Sequence, residues 1–218
     1  MLVIAMDGPS GSGKSSVAKG VARTLGLRYL DTGAMYRAMT WWMLDQGIEV
    51  EDADAVSAGA GEPVLRVGTD PDASAIEVDG QDVSGPIRTR EVTNAVSAVS
   101  RVPAVRERLV VLQREIIATG GIVVEGRDIG TVVAPGAPVK VFLTASEQAR
   151  AQRRALETAR DAETTLAEQA RRDHLDSTRK TSPMTKADDA VEIDSTELGL
   201  AEVIDAVVRL VKERAAAG

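Results

Sequence analysis

Eight residues near the amino terminus limit what this chain can fold into more than any others. Gly8-Pro9-Ser10-Gly11-Ser12-Gly13-Lys14-Ser15 fits the pattern G-x-x-x-x-G-K-[ST] at every position. An apolar run, Leu2 to Met6, precedes it, and a stretch of helical periodicity, Lys14 to Leu25, follows and ends at Gly26. Strand, glycine turn and helix in that order open a βαβ unit. Glycines let successive backbone N–H groups face one concave site, and the helix behind them adds unpaired donors and partial positive charge. In that geometry Lys14 reaches the outer phosphates of a nucleoside triphosphate, and the Ser15 hydroxyl is placed to ligand Mg2+. Contacts to the nucleotide are expected from Gly8, Pro9, Ser10, Gly11, Ser12, Gly13, Lys14, Ser15 and Ser16. A rival pattern takes Gly11 to Ser16 as a dinucleotide-binding G-x-G-x-x-G with Ser in the last place and Asp31 as the ribose-binding acid. It leaves Gly8 and Lys14 without a role.

The remaining pattern alternates. A second short strand at Tyr29-Leu30 leads to a helix over Gly33 to Gln46, with Gly47 as its cap. Between Val64 and Arg88 the texture turns to short strands, Val64 to Val67 and Ala75 to Val78, with turns rich in Asp, Pro and Gly such as Asp79-Gly80. Helices are predicted over Glu91 to Ser100 and Pro103 to Thr119, Pro103 suiting a first turn. Buried strands are predicted at Ile122 to Val124 and Val139 to Leu143. A polar helical stretch over Ser146 to Arg179 breaks near Arg160-Asp161, and Val191 to Ile193 and Leu200 to Arg214 supply a last strand and helix. The expected fold is α/β and three-layered, with a parallel five-stranded sheet, a small antiparallel β insertion and a short helical lid. With 218 residues this is one domain.

Charged residues gather at ends of elements. Glu125-Gly126-Arg127-Asp128 follows the strand Ile122 to Val124, where open α/β sheets bind ligands and where unpaired charge is costly. The other reading is a salt-bridged loop. Arg37 lies one turn inside the second helix, either aimed at the phosphate loop or simply exposed. Arg172, Asp176 and Arg179 share one helical face by spacing, as do Arg150, Arg153 and Arg154; a solvated face with charge pairs is the other reading of both sets, and for the second it stands about even.

The order and spacing of several segments resemble the bacterial cytidylate kinases, nucleoside monophosphate kinases of the P-loop class, over nearly the whole chain. They are the phosphate loop, Asp31-Thr32-Gly33-Ala34-Met35-Tyr36-Arg37, Asp82-Val83-Ser84 with Ile87-Arg88-Thr89, Asn94-Ala95-Val96-Ser97, Val105-Arg106, Gly126 to Thr131, and Arg172-x-x-x-Asp176-x-x-Arg179. The resemblance implies ATP as donor, Mg2+ as its cofactor and CMP or dCMP as acceptor. It implies that Lys14, Arg127 and Arg179 carry catalysis, and that Thr32, Arg37, Ser97, Arg106, Arg127, Asp128, Arg172, Asp176 and Arg179 hold the acceptor. Arg37, Arg127 and Arg179 would grip its phosphate, Arg172 and Asp176 its ribose, and Ser97, Arg106 and Asp128 the cytosine. Arg150, Arg153 and Arg154 would belong to the lid over ATP, with Arg153 and Arg154 binding it. Residues 60–90 would form the acceptor lobe and 148–162 the lid. The sequence departs from the resemblance at Glu125, where many members carry Asp.

Composition narrows the alternatives. Asp and Glu outnumber Lys and Arg by 33 to 26, for a net charge of −7, a poor match for a nucleic-acid partner. Cysteine is absent and histidine occurs once, at His174, which removes thiol chemistry and leaves acid–base chemistry poorly supplied. No apolar run approaches the ~18 residues of a membrane span. A cytoplasmic monomer acting on small molecules is expected, with no membrane partner. Two readings compete with the nucleotide kinase: another small P-loop kinase, and a nucleotide-dependent switch protein.

Overall fold

A computed structural model describes residues 1–158 and 162–216. In chain order the first elements are β1 (Val3–Asp7), α1 (Lys14–Leu25), β2 (Arg28–Asp31), α2 (Thr32–Asp45) and α3 (Ala53–Gly59). There follow β3 (Leu65–Val67), β4 (Ile76–Val78), β5 (Gln81–Asp82), α4 (Arg90–Ser100) and α5 (Pro103–Ala118). The last are β6 (Ile122–Gly126), β7 (Val139–Thr144), α6 (Glu147–Thr158), α7 (Ala162–Thr178), β8 (Val191–Asp194) and α8 (Leu200–Ala216). They fall into two compact units, Met1–Tyr29 with Gly120–Gly218, and Leu30–Thr119.

The first unit is built on a five-stranded sheet in the order β2-β6-β1-β7-β8; β2 straddles the boundary, and Arg28 and Tyr29 belong to this unit. β1 pairs in parallel with β6 and β7, and β7 with β8. β1, β6 and β7 read as largely apolar runs because helices cover them, whereas the edge strand β8 alternates. Ile4, Met6, Val123, Val139, Val141 and Leu143 pack with Val17 and Val21 of α1 and with Val203, Val207 and Val211 of α8. That cluster is almost wholly aliphatic, as a sequence with 2% aromatic residues requires. Parallel pairing has a consequence for function. Asp7 lies opposite Gly126, so the phosphate loop and the Glu125 to Asp128 segment leave the same edge of the sheet.

The second unit is helical around a small antiparallel sheet, β3-β4-β5. Asp31 starts α2 by accepting the Ala34 N–H at 2.9 Å. Asp79 and Gly80 join β4 to β5 with φ of 51° and 82°, the paired left-handed conformation that a tight two-residue hairpin demands.

Besides the short strand β5, two features depart from expectation. α3 is an added helix, capped by Asp52 through the N–H groups of Asp54 and Ala55. Ile129 to Val133 form one wide turn in which the Val133 and Ala134 N–H groups donate to the carbonyls of Asp128 and Ile129, five residues back. Such wide turns gather at functional sites.

Candidate active site

In the first unit the chain leaves β1 through Gly8, whose φ is 146° and whose absent Cβ would stand 2.1 Å from the Leu143 carbonyl oxygen. Any side chain there would push β7 away. Gly13, at φ 87°, turns the backbone into α1. Lys14 is buried and donates to the Pro9 carbonyl at 2.7 Å and to Ser12 Oγ at 3.4 Å, so its amine is held inside the loop it serves. Burial, then repulsion from Arg127, lowers its pKa to about 7, against the attraction of Glu125, Asp173 and Asp7.

Ser15 donates its hydroxyl to Glu125 Oε2 at 3.0 Å. The other oxygen of that carboxylate accepts the Tyr29 hydroxyl. Mg2+ takes oxygen ligands, keeps several waters and needs only one or two protein groups beside the substrate phosphates. A loop hydroxyl backed by a carboxylate fits that demand. No group of three or more acidic, His or Cys side chains suited to a resident metal occurs among the described residues.

Asp7, the last residue of β1, accepts the backbone N–H groups of Ile129 and Gly130, each at 2.8 Å. Burial raises its pKa to about 6 although both hydrogen bonds pull it down. The arrangement ties the strand before the phosphate loop to the turn after Asp128. On the loop's outer side, Asp173 accepts the Ser10 N–H at 2.9 Å while Arg150 donates to the Ser10 carbonyl at 2.8 Å and pairs with Asp173.

Asp176 in the last turn of α7 and Arg179 just beyond it meet the two residues that follow β6. Arg127 Nε donates to Asp176 Oδ2 at 3.0 Å. Arg179 lies 3.4 Å from Asp128 Oδ1 and 3.9 Å from Asp176 Oδ1. Arg127, Asp128, Asp176 and Arg179, far apart in sequence, are thus one connected group. Arg172 sits half-buried one turn before Asp176 on α7. Arg153 points to Ser195, donating to its hydroxyl at 2.9 Å and its carbonyl at 2.6 Å. The side chain of Arg154 lies outside the described residues, as do residues 159–161 of the expected lid.

In the second unit Arg37 donates to Thr93 Oγ1 at 2.8 Å and to the Ile87 carbonyl at 3.2 Å, which fixes it against α4. Arg106 is buried, bonds the Ser100 carbonyl at 3.3 Å and lies 5.2 Å from the Tyr36 ring centre. Ser97 is half-buried on α4, and Thr32 is buried at the start of α2.

Sequence reasoning missed Asp7, Tyr29 and Asp173 as parts of this site. Their partners lie 122, 96 and 163 residues away, and a buried Tyr or a strand-end Asp carries no local mark of such contacts.

The family described as cytidylate kinase matches residues 4–213. A cytidylate kinase of Streptomyces griseus is 58% identical over 214 residues, covering 97% of this chain and 93% of its own. One from Mycobacterium avium is 55% identical over 219 residues, covering 98% and 96%. Among solved structures, an uncharacterized protein from Eubacterium ventriosum aligns with a TM-score of 0.55 at 12% identity, covering 97% of this chain and 98% of that one. The shikimate kinase of Acinetobacter baumannii aligns at 0.50 and 15%, covering 98% and 94%. At these identities the structures speak for the fold alone.

Proposed function

The chain belongs to the cytidylate kinase family, and from that premise we propose that it moves the γ-phosphate of ATP onto CMP or dCMP, yielding ADP and CDP or dCDP. The observation that carries the reading is the buried Lys14 in a strand–loop–helix cradle at the same sheet edge as the linked Arg127, Asp128, Asp176 and Arg179.

The acceptor brings its own nucleophile. A phosphate monoester has a second pKa of ~6, so a CMP phosphate oxygen is already ionised near neutrality. No general base is required, and the chain's task is to bring two polyanions into line. Lys14 and the loop N–H groups hold the donor phosphates. Mg2+ held beside Ser15, with Glu125 behind it, would offset charge on the phosphoryl oxygens. Arg37, Arg127 and Arg179 take the acceptor phosphate, and Arg172 with Asp176 the ribose. Ser97, Arg106 and Asp128 read the base. A carboxylate accepts from the amino group of cytosine, whereas uracil presents a carbonyl there and is repelled.

Residues 60–90 serve in this reading as the acceptor lobe of a single kinase domain, and 148–162 as a lid that excludes water during transfer. Dependence on the cellular ATP pool makes the cytoplasm its compartment, and we take the working unit to be a monomer.

A coupled assay with ATP, Mg2+ and CMP, dCMP, UMP, AMP or GMP tests the reading. Turnover with CMP and dCMP well above the others is expected; ADP release without an acceptor, or indifference to cytidine nucleotides, rejects it. Asp128→Asn should then narrow the preference for CMP over UMP by about tenfold, roughly 1.4 kcal/mol, with ATP affinity unchanged. Unaltered selectivity removes Asp128 from base reading.

A further inference from the structure

We propose that Tyr29 is a positioning residue for phosphoryl transfer: its hydroxyl fixes the Glu125 carboxylate so that Ser15 presents its lone pairs to the donor's Mg2+. The inference rests on the kinase reading above and adds a residue to it.

Glu125 is shared between two hydroxyls. Oε2 accepts from Ser15 Oγ at 3.0 Å and Oε1 from Tyr29. A serine hydroxyl has one proton. Given to Glu125, it leaves the oxygen's lone pairs for a cation, and their direction follows the carboxylate. Ser15 itself is exposed, so its orientation depends on what it bonds.

A glutamate on three rotatable bonds does not hold a direction by itself. Tyr29 supplies the stop. It is 1% exposed, stands on β2 beside β6, and has the Lys19 amine 5.3 Å from its ring centre. With two side-chain torsions and a packed ring, its hydroxyl has almost nowhere else to go. A buried tyrosine hydroxyl needs some hydrogen-bond partner in any protein. Here the partner is a carboxylate whose second oxygen accepts the Ser15 hydroxyl of the phosphate loop. The span also offers a reason for Glu at 125, since Asp would set the carboxylate back from both hydroxyls by one methylene on the same backbone.

The test is a cycle of wild type, Tyr29→Phe, Glu125→Gln and the double variant, with two readouts. One is steady-state kinetics with CMP. The other is Mn2+ binding to the protein–ADP complex by electron paramagnetic resonance, which needs no turnover. Groups that orient metal ligands typically change metal affinity or activity by ~10–100-fold. Tyr29→Phe should lower kcat and Mn2+ affinity by about tenfold each, leave the KM for CMP unchanged, and add nothing in the Glu125→Gln background. Wild-type Mn2+ affinity in Tyr29→Phe, or the same loss in both backgrounds, overturns the proposal. Should Tyr29→Phe fail to fold, Glu125→Asp decides: lost Mn2+ affinity supports the two-hydroxyl span, and wild-type affinity rejects it. If wild type itself does not phosphorylate CMP, the kinase reading falls, while the Mn2+ measurement still judges Tyr29.

Discussion

Arg127 and Asp176 are joined by a 3.0 Å hydrogen bond between the residue after β6 and the last turn of α7, and Asp176 lies 3.9 Å from Arg179 as well. One carboxylate thereby orients two guanidinium groups, each largely buried. An acceptor phosphate would meet cations already aimed, with little side-chain freedom left to lose on binding.

Replacing that carboxylate should therefore damage both fold and acceptor use. Asp176→Asn keeps the shape but leaves two buried cations facing a neutral amide. A loss of about 1–3 kcal/mol is expected, read as a lower Tm, together with a raised KM for CMP and an unchanged KM for ATP. Equal effects on both substrates would place Asp176 outside the acceptor side.

Lys14 should take up a proton when nucleotide binds. Its pKa is lowered to about 7, by burial first and Arg127 second. Phosphate oxygens beside the amine favour the charged form and raise that value in the complex. Between the two values, near pH 8, binding draws protons from solution. Calorimetry of ADP binding in buffers of different ionisation enthalpy measures the uptake, which should vanish in Lys14→Ala. That variant should also lose about 10²–10³ in kcat, the scale of a lost transition-state donor.

Asp7 should leave a signature in stability against pH. Its pKa is about 6 in the fold against 3.8 for the free group. Between those values the folded state binds more protons than the unfolded chain, so stability falls as pH rises through roughly 4 to 6. Urea midpoints across this range, compared with Asp7→Asn, isolate the contribution. The variant should show a flatter profile, and parallel profiles would assign the slope to other groups.

Much of this was legible from residues alone, for local reasons. β1, the glycine loop and α1 announce themselves because each glycine and Lys14 obeys a rule within a few positions. Asp79-Gly80 marks its hairpin in the same way. α3 escaped notice because Ala53–Gly59 offers one buried aliphatic anchor, Val56, among Ala, Asp, Ser and Gly. The wide turn after Asp128 was hidden because Ile129-Gly130-Thr131-Val132-Val133 looks like one more apolar run. The pairing of Asp176 with Arg127 was invisible for a different reason. Helical spacing shows that Arg172, Asp176 and Arg179 share a face, but not what that face meets 49 residues away.

The backbone of Ser10 is held from both sides, its N–H by Asp173 of α7 and its carbonyl by Arg150 of α6. Those two helices cannot swing as a body and leave the donor cradle untouched. Either the clasp stays shut and the glycine loop is pulled along, or it opens and two charged side chains lose each other and the loop at once. Any displacement of α6 and α7 is thus geared to the glycine loop that, in the proposed reading, grips the triphosphate.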